Sequence, residues 1–248
     1  GVAAMRIDAG AGYGGWLPYA TSVPVTLASG IGTKTVTVQY MNNAGGILTV
    51  SDTIVVEITP PTGWVSVNGG ANHTNVSSVT LTLSASDVGG SGVAQMQFSN
   101  DNTTWSAFEP YATSKAWTLA SGTGSRTVYV RYRDNAGNTS NTYSDNITVE
   151  TAAPTGSITI NSGAAYTNSA TVTLTLSAAD TGGSGVGQMQ FSNDNTTWSS
   201  WQAYTTSRSW TLTAGAGSKT VYARYRDNAG NVSGVSQDGI TVDLGTPT

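Results

Sequence analysis

Four aspartates, Asp87, Asp134, Asp180 and Asp227, stand in turns crowded with oxygen-bearing side chains. Asp134-Asn135-Ala136-Gly137-Asn138 has a double in Asp227-Asn228-Ala229-Gly230-Asn231, while Asp87 and Asp180 each lie just before a Gly-Gly-Ser-Gly run. Calcium takes six to eight oxygens from carboxylates, amides and carbonyls, so Ca2+ is the cation such turns suit. Each turn supplies one carboxylate, however, and the same residues serve equally as side-chain caps that hold the turns closed. The sequence leaves both readings open.

Nothing else in the chain assembles a catalytic set. His73 is the single histidine, and the matching position in the later repeat is Tyr166, so a repeated His-based site is excluded and His73 is expected in a solvated loop. There is no cysteine, which removes disulfides, thiolate metal sites and cysteine nucleophiles together. The serines lack a base, so a nucleophilic triad is not expected. Ser99-Asn100-Asp101-Asn102-Thr103-Thr104-Trp105 and its double at 192–198 read as hairpin turns, with Asn and Asp tolerating positive φ and the Trp folding over the sheet. Trp16, Phe108 and Trp201 share one site, three residues before Tyr19, Tyr111 and Tyr204. Their flat faces could stack on sugar rings, or close the edge of a sandwich. Trp117 and Trp210, which replace Val25, suit a core position.

Composition narrows the function classes. Charged residues make up 10% of the chain and the formal net charge is -4, which offers no electrostatic footprint for nucleic acid. No apolar run approaches the roughly 20 residues of a membrane span. The apolar content of 38%, with 7 Trp, 11 Tyr and 3 Phe, is enough to build cores.

The elements that carry these residues recur. Gly92 returns at Gly185, Trp105 at Trp198 and Asn135 at Asn228, each 93 residues on, the length of one β-sandwich domain. A more divergent copy opens the chain, matching Tyr19-Ala20-Thr21-Ser22 to Tyr111-Ala112-Thr113-Ser114 and Asn43-Ala44-Gly45 to Asn135-Ala136-Gly137. The spacing predicts an incomplete repeat at 1–57, full repeats at 58–150 and 151–243, and the start of a further repeat or linker at 244–248. Within a full copy, Val172, Leu174 and Leu176 alternate with Thr171, Thr173 and Thr175, the period-2 signature of half-buried strands. The set Val128, Val130 and Tyr132 matches Val221, Ala223 and Tyr225 and, in the first copy, Val36, Val38 and Tyr40, so these positions face the core. The fold class predicted is all-β: tandem antiparallel β-sandwiches of immunoglobulin or fibronectin type.

Asp180-x-x-x-Ser184-Gly185-Val186, Trp198, Asp227-Asn228-Ala229-Gly230-Asn231 and a Thr-x-x-Pro linker together resemble the bacterial Ig-like repeats strung along large secreted surface proteins. The resemblance covers nearly the whole chain. It implies a β-sandwich, an extracellular or cell-surface location and a structural or adhesive role, with no catalytic residues to carry over. The first copy departs from the pattern at Asn42 and Gly46, where the others have Asp and Asn.

The expected function is therefore a non-catalytic structural protein of the cell exterior, a fibre, filament, sheath or adhesin stalk, with other repeats or other copies of itself as partners. The alternative is a carbohydrate-binding accessory module beside a polysaccharide-degrading enzyme, with surface glycans as ligands. In the first copy the strands that would cover Met5, Ile7, Val36, Val38 and Tyr40 have no counterpart in sequence. These five are expected to form an assembly face, covered by another part of the polypeptide or by strand complementation between subunits.

Overall fold

The computed structural model describes residues 1–245. The start of a further repeat expected at 244–248 thus lies, from Thr246 on, outside the described residues. The first stretch carries β1 (Val2–Asp8), β2 (Leu17–Pro18), β3 (Gly32–Asn42) and β4 (Ile47–Val56). The second carries β5 (Thr62–Val67), β6 (His73–Thr74), β7 (Ser78–Ser86), β8 (Val93–Ser99), β9 (Glu109–Pro110), β10 (Ser114–Thr118), β11 (Gly124–Asp134) and β12 (Tyr143–Val149). The third repeats that series as β13 (Thr155–Ile160), β14 (Tyr166–Thr167), β15 (Thr171–Ala179), β16 (Val186–Ser192), β17 (Gln202–Ala203), β18 (Ser207–Thr211), β19 (Gly217–Asp227) and β20 (Ser236–Val242). No α-helix occurs among the described residues.

Alternation explains the strands. In β7 the burial alternates from Ser78 to Leu83, with Val79, Leu81 and Leu83 inside and the residues between them exposed, as a strand covered on one face requires. The second stretch forms a three-stranded sheet, β10-β7-β5, against a five-stranded one, β6-β12-β11-β8-β9. The third has the same order, β13-β15-β18 against β14-β20-β19-β16-β17. All pairings are antiparallel except the two-residue contacts of β6 with β12 and β14 with β20. Each sandwich encloses its own core: Val67, Leu81, Phe98, Val130, Tyr132 and Ile147 in one, and Ile160, Leu174, Phe191, Ala223, Tyr225 and Ile240 in the other.

Tyr132 and Tyr225 are the largest fully buried side chains. Their hydroxyls donate to the carbonyls of Trp64 and Ser157, tying the five-stranded sheet to the first strand of the three-stranded one. The rings lie so close to that strand that a Cβ at Gly63 or Gly156 would collide with them, which is why glycine stands there. Burial pushes both phenols well above their usual range.

The first stretch builds only one sheet, β2-β1-β3-β4, equivalent to β9-β8-β11-β12. Its inward face differs from a bare apolar surface. Met5 is buried at 3% exposure and Ile7, Val36, Val38 and Tyr40 are half-buried, whereas Leu48, Val50 and Ile54 of β4 are exposed. The segment between β2 and β3 lies nearby, with Tyr19 edge-on to Tyr40 at 6.2 Å and Ala28 donating its N–H to Ala9. His73, expected in a solvated loop, is instead half-buried in β6. The chain crossing there is drawn onto the end of β12 by bonds from Thr148 N–H to Asn72 and from Glu150 N–H to Thr74.

Candidate metal centre

The two acidic turns of each full copy meet. Asp134 ends β11 and Asp87 lies in the β7–β8 loop; the loop is clamped to the turn by Asn135, whose side-chain amide donates to the carbonyls of Ser91 and Gly92. Ala136 N–H adds a bond to Ser91 Oγ. The same three bonds recur with Asn228, Ala229 and Ser184. Gly92 can take this path because its φ is +89°, where a side chain would be strained.

A third carboxylate joins each pair from the preceding stretch of chain. Glu57, just past β4, reaches Asp87 and Asp134; Glu150, just past β12, reaches Asp180 and Asp227. In each set the oxygens on offer lie within 4.8 Å of one another. Ligands held by one ion at about 2.4 Å can be at most about 4.8 Å apart, so both sets match the span of a calcium shell. One oxygen of each Glu accepts an N–H, from Ser91 or Ser184, at 2.8 Å. The other, Oε1, is buried with no hydrogen-bond partner at either junction. Glu150 is 9% exposed, Asp134 3% and Asp227 4%, so these charges stand largely out of water, where an unpaired carboxylate oxygen is costly.

The carboxylates of each set also cap the turns. Asp134 accepts the N–H of Asn138 on Oδ1, and Asp87 accepts that of Gly92 on Oδ2. Asn138 donates from its side chain to Asp134 Oδ2 and to the carbonyl of Glu57, so it couples the turn to the incoming chain. Asn231 does the same with Asp227 and Glu150. A Cβ at Gly90 or Gly183 would fall among the carboxylate oxygens, so glycine leaves that space clear. In the first copy Asn42 keeps the turn bonds, accepting from Ala44 and Gly46 N–H, without the charge.

Glu57 and Glu150 escaped the sequence reading, although they recur 93 residues apart immediately after a long strand, as does Asp243 after β20. The aromatic site is also defined. Arg133 lies over Phe108 at 5.2 Å, Arg226 over Trp201 at 4.7 Å and Arg6 over Trp16 at 4.8 Å. One face of each ring is thus occupied by a guanidinium. Trp117 and Trp210 pack partly buried against the cores.

No protein-family model matches the chain, and no curated protein is a match. Solved structures do resemble it. The fibronectin(III)-like modules of CbhA from Clostridium thermocellum are 16% identical, covering 72% of this chain and 93% of theirs, with a TM-score of 0.49. The FN1-FN3 domains of chicken CNTN1 are 13% identical, covering 97% and 91%, at 0.44. A Ca2+-stabilised adhesin of an Antarctic bacterium that binds ice is 17% identical, covering 98% and 65%, at 0.41. These neighbours are fibronectin-III-like modules and an adhesin. The fold itself rests on the strand pairing.

Proposed function

We propose that this chain is a non-catalytic, extracellular structural segment, a stalk or fibre of tandem Ig-like repeats at 1–57, 58–150 and 151–243, whose junctions are braced by Ca2+. One observation carries the reading: at both junctions three carboxylates converge across the boundary, and the one brought by the preceding repeat, Glu57 or Glu150, holds a buried oxygen with no partner. A divalent cation there satisfies the orphan oxygen, neutralises the cluster and ties the end of one repeat to the turns of the next. Three carboxylates supply up to six oxygens, which suits the modest affinity of extracellular calcium modules, about 10⁻⁴ to 10⁻³ M. Proline at 154 stiffens the same linker, so the brace adds to a chain already restricted in φ. The face of Met5, Ile7, Val36, Val38 and Tyr40 serves assembly in this reading, by strand complementation.

Thermal unfolding with and without Ca2+ tests the brace. At a hundredfold excess over Kd the ion stabilises by about 2.7 kcal/mol, so a rise in Tm on the order of 10 °C is expected, reversed by chelator. Small-angle scattering should show a stiffer, longer particle with calcium. A Tm and a scattering profile indifferent to Ca2+ and to chelator would overturn the reading.

A further inference from the structure

We infer that the outward side of the larger sheet in each copy is a binding face for an acidic polysaccharide, whose carboxylates are taken by Arg6, Arg131 and Arg224, one in each copy. This goes beyond the structural reading above and does not depend on the calcium brace.

The three arginines occupy one rung of the sheet. Arg131 lies between the buried Val130 and Tyr132 in β11, and Arg224 between Ala223 and Tyr225 in β19, so alternation turns both away from the core. Across the ladder Arg131 stands opposite Gln97 and Arg224 opposite Gln190. In the first copy the same rung is filled in reverse, with Arg6 on β1 opposite Gln39 on β3. The pair of Arg and Gln is thus kept while its strands are exchanged. A ring from the loop that follows β1, β8 or β16 stacks on each guanidinium: Tyr13 on Arg6 at 4.7 Å, Trp105 on Arg131 at 4.1 Å and Trp198 on Arg224 at 4.3 Å. The full copies add a second cation two residues on, Arg133 or Arg226, about 7 Å along the strand, where the first has Met41.

No anion of this chain answers these cations. The one ion pair among the described residues joins Lys115 to Glu109. All 14 carboxylates accept a hydrogen bond from their own chain, in turns, at the junctions or on the N–H of a facing strand. Acids outnumber bases, yet they are committed elsewhere, so the anion that suits the arginines comes from outside rather than from a second copy. Arg6 and Arg131 spend only Nε on the protein, donating to Gln39 and Thr142, and among the described residues their Nη groups have no acceptor. The stacked ring holds the guanidinium in place, and a fixed planar fork takes a carboxylate through two parallel N–H bonds at little cost in entropy.

The sites recur once per copy, so the fitting ligand carries its charge along an extended chain, where each weak contact raises the effective concentration for the next. Beside each cation stand uncharged groups, Gln97 and Thr142 at Arg131, Gln190 at Arg224 and Gln39 at Arg6, which suit the hydroxyls that flank a sugar carboxylate. A nucleic acid meets instead the net charge of -4.

The test uses polygalacturonate as the probe and its fully methyl-esterified form as the uncharged control, both in chelator so that the junction sites hold no metal. Calorimetry on the 248-residue chain should show binding that weakens steeply from about 50 to about 500 mM salt and is lost on esterification. Arg131→Gln and Arg224→Gln should each weaken it about tenfold, and the triple variant with Arg6→Gln should abolish it. Arg131→Lys, which keeps the charge and loses the fork, should fall between parent and Arg131→Gln. If a variant fails to fold, the parent protein decides: polygalacturonate, but not its ester, should slow amide exchange in β8, β11, β16 and β19 and leave β7 and β15 unchanged. Absence of binding, binding that survives esterification, or binding indifferent to the three arginines overturns the inference. Equal affinity for polyglutamate overturns it in favour of an acidic protein, affinity for dextran sulfate alone in favour of sulfate, and a dimer held by these arginines without glycan in favour of self-association.

Discussion

Glu150 illustrates how one residue can hold two states of a junction apart. Without an ion its buried Oε1 faces Asp180 and Asp227 unpartnered; with one it would become a ligand. Glu150→Gln should therefore remove most of the calcium-dependent gain at that junction, while raising metal-free stability by up to about 1 kcal/mol through relief of like-charge repulsion. Chemical denaturation in chelator and in Ca2+ checks both signs; a variant that still gains fully from calcium would show that Glu150 is no ligand. Asp101 and Asp194 behave differently. The backbone N–H groups of Thr104 and Thr103, then the Ser99 hydroxyl, hold the Asp101 carboxyl far below the usual carboxylate range, and Thr197, Thr196 and Ser192 do so for Asp194. A depressed folded-state pKa means that the stabilisation is complete above the unfolded value of about 4 and fades as pH falls toward the folded one. Urea midpoints between pH 6 and pH 2 should drop less steeply in Asp101→Asn/Asp194→Asn than in the parent. These turns were legible in sequence: Asn102 and Asn195 take positive φ, at 59° and 58°, as the Asn-rich hairpin reading requires.

At the scale of elements, the strand that lies over the core tyrosine shows how much one bond is asked to do. Tyr132→Phe leaves the Trp64 carbonyl without its donor and should cost about 1 to 2 kcal/mol in the second sandwich, with Tyr225→Phe matching it in the third. Tyr40→Phe should cost almost nothing, because no carbonyl waits there. Equal losses at all three positions would contradict the pairing seen here. The alternation of β7 and β15 made those strands readable from their residues, since a face covered on one side writes itself into the sequence with period 2. Ser22–Thr26 was not readable in that way. Its residues match a strand, but a strand exists only when a neighbour supplies the other half of its hydrogen bonds.

At the scale of the molecule, the two full sandwiches and the single sheet should differ in dynamics. Amides of β11 and β19, each inside a five-stranded sheet with a closed core, should exchange slowly, whereas β4, exposed along nearly its whole length, should exchange orders of magnitude faster. Hydrogen exchange by mass spectrometry reads this directly, and uniform protection across the three stretches would count against an open face. Calcium should protect the linkers at Glu57 and Glu150 more than the sheets, because an ion bound there would join segments that the cores do not hold.

The sequence by itself determined the repeat of 93 residues, the all-β class and the inward positions of each strand, because these depend on local period and on comparison of one copy with another. It also marked Asp87, Asp134, Asp180 and Asp227 as oxygen donors, but gave each turn one carboxylate. Only the tertiary structure brings Glu57 and Glu150 to these turns, since carboxylates 30 to 77 residues apart converge through sheet register that no local pattern records. The same holds for the core tyrosines: alternation placed Tyr132 and Tyr225 inside, while only the structure shows their hydroxyls reaching the carbonyls of Trp64 and Ser157 on the facing sheet.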